Sequence, residues 1–126
     1  MELLLIGRDA VLALHDAVLN PNEIAGLAGD KSLDAVLGRV ETRLRFGLIK
    51  DVFELAATYA VMLVVGKAFL CGNKRTAYAT MKVCLVLNGM DASLGTFREV
   101  GDIIIQVAQR KVDEKELALW LRRRAG

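Results

Sequence analysis

The sequence contains almost no proline, the residue that most strongly interrupts helices and strands. It contains one proline in 126 residues, whereas 54% of its residues are hydrophobic. Extended disorder and a long interdomain linker are therefore not expected. A chain of this length and composition can bury a proper core, so we expect residues 1–126 to form a single domain.

Cysteine and histidine are also scarce. The two cysteines, Cys71 and Cys84, lack the CxxC spacing of metal sites, and His15 is the only histidine. We therefore expect no metal ligands of the usual pattern and two free thiols, as is typical of a reducing cytoplasm. Cys84 is expected to fill space in the core, and His15 to have a structural role. Cys71 also fits a reactive thiol beside cations, although no histidine accompanies it.

Long uncharged runs and a strong excess of charge are absent as well. The longest stretch without a charged side chain, Leu55 to Gly66, is shorter than the roughly 20 residues that span a bilayer. The apolar start, Met1 to Ile6, includes Glu2 instead of a basic segment, so we expect no signal peptide. A formal net charge of +2 gives no argument for a nucleic-acid partner. These features predict a soluble cytoplasmic protein without a membrane partner.

The hydrophobic residues that are present recur at helical spacing, and no segment shows the alternation of strands joined by hairpins. The pattern predicts an all-α fold, a compact bundle of about six helices. Its third helix is apolar on every side, so we expect it to lie at the centre of the bundle. The predicted helices cover residues 7–19, 33–46, 52–65, 73–88, 97–109 and 114–124, and the expected N-caps are Ser32, Asp51, Thr96 and Asp113.

The stretch from Gly66 to Ala77 differs from the rest of the chain because it combines glycine, asparagine and cations between two apolar helices. Gly72 permits close approach of a ligand to the backbone, and the N–H groups that follow it have no intrahelical partners. With Lys74 and Arg75, this is the composition of an anion site. On spacing alone, an ordinary helix start is the more common explanation, with Asn73 as the N-cap and the two cations solvated.

The motif Phe69-x-x-x-Asn73-Lys74-Arg75 resembles the core motif of the Fic/Doc (Fido) superfamily. Lys74 places the chain with the Doc (death-on-curing) toxins, whose motif reads His-x-Phe-x-Asp-x-Asn-Lys-Arg, whereas Fic enzymes have glycine at this position. The similarity covers nearly the whole chain in length and helix order. Three further stretches also resemble Doc-like sequences, namely Leu14-His15-Asp16, Leu37-Gly38-Arg39-Val40 and Leu87-Asn88-Gly89.

This resemblance implies a chemistry. Doc-like proteins move a phosphoryl group from ATP to a hydroxyl of a translation elongation factor, and Fic relatives move AMP. The motif histidine acts as the base, and the motif aspartate holds Mg²⁺. Doc-like toxins also have an antitoxin partner whose C-terminal segment folds into a groove on the toxin. The resemblance assigns Phe69 as the anchor into the core and Gly72, Asn73, Lys74 and Arg75 as the cradle for phosphate or nucleotide.

The sequence departs from the motif at both chemical positions. Lys67 stands at the histidine position, and a lysine with its ordinary pKa near 10.4 is protonated and accepts no proton at neutral pH. Cys71 stands at the aspartate position, and a thiol is a poor ligand for Mg²⁺. We therefore expect a Doc-like protein that binds ATP or another nucleotide with impaired or absent transfer, natural or engineered. The alternatives are an active kinase-like or nucleotidyl-transferring toxin and a non-enzymatic helical interaction module.

Overall fold

The computed structural model describes residues 2–125 and confirms the all-α fold. Within these residues the only pairing of extended segments is one isolated antiparallel bridge between Leu27 and Phe69. The helix bounds agree with the prediction to within one or two residues at each end. The six helices are α1 (Arg8–Val18), α2 (Leu33–Arg45), α3 (Val52–Gly66), α4 (Asn73–Leu87), α5 (Phe97–Ala108) and α6 (Glu114–Ala125).

The four predicted N-caps are confirmed. The side chains of Ser32, Asp51 and Thr96 each accept a hydrogen bond from the backbone N–H three residues later. At the start of α6, Asp113 accepts from the N–H of Glu116, and the Glu116 carboxylate accepts from the N–H of Asp113. This reciprocal pair is a capping box, which gives partners to two N–H groups at once.

Helix α3 forms the centre of the bundle, as predicted. It packs against α2, α4, α5 and α6, and its residues from Leu55 to Val64 are all buried. Its alanines let neighbouring helices approach closely, while Leu55, Tyr59 and Leu63 fill the space between them. Because α3 is fixed on all sides, its C-terminal end gives a rigid start to the loop that follows.

The loop of residues 67–72, which we call the motif loop, joins the two helices with the most extensive mutual packing, α3 and α4. Lys67 ends α3 in the left-handed conformation, with φ of 48°. Gly72 precedes α4 and is also left-handed, with φ of 77°. These two conformations turn the chain back so that α4 begins beside the end of α3. None of the helices in residues 2–125 is long and apolar enough to cross a membrane.

Candidate anion-binding site

The N-terminal end of α4 presents free backbone donors. Gly72 occupies the N-cap position, and it has no side chain to satisfy the first turn. Among residues 2–125, no group accepts a hydrogen bond from the N–H of Asn73, Lys74 or Arg75, whereas the N–H of Thr76 bonds to the Gly72 carbonyl at 2.9 Å. The first turn of α4 therefore offers three donors and the positive end of the helix dipole.

These donors belong to the wall of an open cleft of about 510 Å³ between the motif loop and α5. Three cations line the cleft, and no carboxylate does, so its charge favours an anion. The side chains of Lys67 and Lys74 are exposed to water. The lining residues are Val64, Lys67, Leu70, Cys71, Gly72, Asn73, Lys74, Arg75, Ile105, Ala108 and Gln109.

Asn73 is the first residue of α4, and the N-cap is Gly72. The interpretation of Asn73 as the N-cap of this helix is therefore wrong. Its side-chain oxygen accepts from the N–H of Phe69 at 3.1 Å, and its side-chain nitrogen donates to the Phe69 carbonyl at 2.9 Å. One amide thus pairs with both backbone groups of a loop residue. The side chain braces the motif loop against the start of α4.

Phe69 holds the middle of the motif loop in the core. Its side chain is buried, and its ring stacks on His15 with 3.7 Å between the ring centroids. Two backbone hydrogen bonds flank it: Leu70 N–H donates to the Gly26 carbonyl, and Ala28 N–H donates to the Ala68 carbonyl. The loop is therefore fixed by the core beneath it and by the segment 26–28 beside it.

His15 lies beneath the motif loop, although it is far from the motif in the sequence. It is buried, and its Nε2 lies 2.8 Å from the backbone carbonyl oxygen of Cys71. Its Nδ1 lies 3.8 Å from the carboxylate of Asp16 on the surface. The histidine contacts backbone, as expected of a structural residue, but that backbone belongs to the candidate site.

Arg75 is directed toward α1. One terminal nitrogen donates to the Val18 carbonyl at 3.0 Å, and the other is paired with the carboxylate of Glu23. The hydrogen bond from Arg75 holds the pKa of Glu23 below its ordinary value, and the same bond raises the pKa of Arg75. Of the residues assigned to the cradle, Arg75 is thus the one whose charge is already neutralised by a partner.

Lys67 and Cys71 stand where the motif has its base and its metal ligand. Lys67 is exposed at the rim of the cleft, and Cys71 is half-buried and carries a free thiol. The cleft offers no carboxylate oxygen, and residues 2–125 contain no group of three or more His, Cys, Asp or Glu side chains able to hold a metal. The residues of the cleft therefore do not fit Mg²⁺, which binds hard oxygen ligands.

Comparison with known sequences gives one extensive similarity. No family model matches the chain. The chain is 31% identical over 122 residues to a protein of Escherichia phage P1 named "Protein kinase doc", and the alignment covers 96% of this chain and 95% of that protein. The aligned region therefore includes the motif loop, α1 and the helices on both sides of the cleft.

Proposed function

The chain belongs to the Doc family, and on that premise we propose that it is a toxin-module protein whose cleft binds a phosphate-bearing ligand but transfers no phosphoryl group efficiently. ATP or another nucleotide is the ligand class that the family implies. We also propose that residues 1–126 form one Doc-type domain, which the extent of the similarity supports.

The observation that supports binding is the first turn of α4. Three backbone N–H groups without a partner among the described residues adjoin a cleft that contains cations and no carboxylate. Phosphate oxygens accept such hydrogen bonds, and the helix dipole stabilises their charge. Lys74 adds an exposed ammonium at the same end of the helix.

The residues at the two altered positions support impaired transfer. A general base contributes about 10²–10⁴-fold to a rate, and the exposed ammonium of Lys67 has no lone pair with which to accept a proton. Cys71 offers a soft thiol where a hard metal ligand would stand. The cleft therefore retains the means to bind phosphate while lacking the two groups that would act on an incoming hydroxyl and on the metal.

Calorimetric titration with pyrophosphate, AMP, ADP and ATP tests the binding. We expect affinity to rise with the number of phosphates, and Lys74→Gln to weaken ATP binding by roughly threefold to tenfold. Lys82→Gln is the matched control, because Lys82 lies on the same helix but lines no part of the cleft. If the wild-type protein binds none of these compounds, the non-enzymatic interaction module replaces this proposal.

Incubation with labelled ATP, Mg²⁺ and a translation elongation factor tests the impairment. We expect no label on the factor with the wild-type protein. The double variant Lys67→His, Cys71→Asp restores both motif residues, and we expect it to transfer label while each single variant does not. Label transferred by the wild-type protein would instead support the active kinase-like or nucleotidyl-transferring toxin.

We further propose an antitoxin partner that binds a second depression, the α4–α5 groove. This groove of about 620 Å³ has mostly apolar walls and is also lined by three cations, Lys74, Arg75 and Lys82, of which Arg75 is already paired with Glu23. An amphipathic helix with an acidic polar face would match both features. The remaining lining residues are Val18, Tyr78, Ala79, Val83, Phe97, Gly101, Ile104 and Ile105.

Titration with a peptide from the C-terminal segment of a neighbouring small gene product tests this partner. Phe97→Asp is expected to abolish binding, because the Phe97 side chain is three-quarters exposed at the groove. Leu48→Asp is the control, because Leu48 is similarly exposed but lies in the loop between α2 and α3. Equal loss of binding in both variants would contradict the assignment of this groove.

A further inference from the structure

His15 has no role in the function proposed above, although it is the only histidine and its ring contacts the motif loop. We infer that His15 is a positioning residue, whose Nε2–H holds the Cys71 carbonyl and thereby orients the Cys71–Gly72 peptide unit that leads into the backbone donors of the cleft. This inference rests on the proposed anion site. It means that α1, through His15, keeps the motif loop in the conformation that binds the anion.

The direction of the hydrogen bond follows from its chemistry. A backbone carbonyl only accepts, so Nε2 of His15 must carry the proton at 2.8 Å from the Cys71 oxygen. The nitrogen left for a lone pair or a second proton is Nδ1, which faces Asp16 at 3.8 Å. The ring is buried and stacked on Phe69 with an interplanar angle of 10°, so its nitrogens have little freedom to exchange places.

The hydrogen bond orients more than one atom because the peptide unit is planar. The Cys71 carbonyl and the Gly72 N–H belong to the same unit and point in opposite directions. With the carbonyl held toward α1, the Gly72 N–H points away from α1. The negative end of this peptide dipole is thus bonded to His15, where it does not face an anion in the cleft.

The packing around the ring explains why a bulky residue is needed as well as a donor. A side-chain carbon on Gly72 would lie 3.7 Å from the His15 ring and 3.4 Å from Leu19. The ring therefore fills the space beneath Gly72 while Phe69 covers its face. Phenylalanine at position 15 would keep this packing and lose the donor, whereas glutamine would keep a donor at a similar reach.

These two substitutions separate the hydrogen bond from the packing. We expect His15→Phe to remain folded and to bind pyrophosphate roughly fivefold to tenfold more weakly than the wild type. We expect His15→Gln to bind within about twofold of the wild type. If the aromatic ring mattered only for packing, glutamine would not restore pyrophosphate binding, because glutamine has a donor but no ring. Equal affinity of all three proteins, or equal loss in both variants, would overturn the inference.

Nuclear magnetic resonance of the same proteins gives a readout that does not depend on binding. In the wild type, the His15 ring is expected to show a proton on Nε2 and a coupling across the hydrogen bond to the Cys71 carbonyl carbon. The amide signals of Gly72 to Arg75 are expected to move in His15→Phe and to stay near their wild-type positions in His15→Gln. An unprotonated Nε2, or amide signals that do not move in His15→Phe, would overturn the inference. This holds even if the protein does not bind pyrophosphate.

Discussion

The guanidinium of Arg75 joins the start of α4 to the end of α1. Its two terminal nitrogens bond to the Val18 carbonyl and to the carboxylate of Glu23. A guanidinium that already has a carboxylate partner attracts a second anion less than a free one does. At the scale of single residues, Glu23 therefore competes with any phosphate for Arg75.

The substitution Glu23→Gln tests this competition. It removes the carboxylate charge while keeping a side chain of the same shape, so the positive charge of Arg75 becomes available to the cleft. We expect pyrophosphate affinity to rise by roughly twofold to fivefold, measured by calorimetry at low salt. Asp34→Asn is the control, since it removes an exposed carboxylate paired with Arg8 on α1. Unchanged affinity in Glu23→Gln would show that Arg75 contributes no charge to the cleft.

The same residue predicts a pH dependence. The hydrogen bond from Arg75 lowers the pKa of Glu23, so the folded state binds this proton less readily than the unfolded state. The stability that the pair contributes is present above the ordinary glutamate pKa of about 4.3 and is lost as pH falls through the lowered value. Urea unfolding of the wild type and Glu23→Gln is expected to differ at pH 6 and to converge in acid.

At the scale of elements, Asp51 connects two helices. Its Oδ1 accepts the N–H of Glu54 and caps α3, and its Oδ2 accepts from Arg122 of α6 at 2.7 Å. The cap is a backbone bond at a helix end, and the ion pair is partly exposed to water. The typical contributions of N-caps and of exposed ion pairs predict that the cap adds more to the free energy of unfolding than the pair does.

Two substitutions of Asp51 separate these contributions. Asp51→Ala removes both, and we expect it to lower the free energy of unfolding by about 1–2 kcal/mol. Asp51→Ser keeps an N-cap oxygen and removes the charge, so it is expected to recover most of that loss. Urea unfolding measures both. If the serine variant were as unstable as the alanine variant, the pair with Arg122 would be the larger contribution.

The helices could be predicted from the sequence because their signals are local. Ser32, Asp51, Thr96 and Asp113 each act on a backbone group three residues away, and the apolar stripes repeat within each helix. The motif loop and the start of α4 were also recognisable, since Gly72, Lys74 and Arg75 are close together in the chain. The bounds of the loop followed from the same short segment, and the buried position of Phe69 was expected from the resemblance to the Doc motif.

The support of the loop could not be predicted in this way. His15 and Cys71 are 56 positions apart, and Arg75 and Glu23 are 52 apart. No periodicity in α1 indicates which of its side chains will lie beneath a loop from the other half of the chain. The histidine beside an aspartate in the second half of α1 was the only local sign, and it has several ordinary explanations.

At the scale of the whole molecule, two buried titratable groups limit stability in alkali. Burial raises the pKa of Tyr59 and the pKa of Cys84 to about 12. Tyr59 donates to the carbonyl of Ile6 and accepts from its N–H, so it holds the N-terminal segment to α3. Both groups lose their proton more readily in the unfolded state than in the folded state. The free energy of unfolding that they contribute is therefore fully present below their ordinary pKa values and is lost as pH rises toward 12.

The variant Tyr59→Phe is expected to lose less stability than the wild type as the pH rises. At neutral pH it leaves the N–H and carbonyl of Ile6 without their hydroxyl partner, which lowers the free energy of unfolding by about 1–3 kcal/mol. Between pH 9 and 11, its stability is expected to fall less steeply than that of the wild type. Tyr78→Phe is the control, because Tyr78 is only half-buried beside the α4–α5 groove. A parallel decline in all three proteins would assign the alkaline loss to Cys84 or to other groups.

The contacts that join α1 and the segment after it to the motif loop and the first turn of α4 also determine when the cleft forms during folding. Helices α3 and α4 are neighbours in the chain, so their pairing closes only a short loop, whereas the bonds from His15, Val18 and Glu23 close loops of more than fifty residues. The hairpin of α3 and α4 can therefore assemble before the loop between them has its final conformation. Detachment of α1 alone would remove the contact of His15 with the loop while the central hairpin stayed intact, so we expect the cleft to have a lower local stability than the core around which it is built.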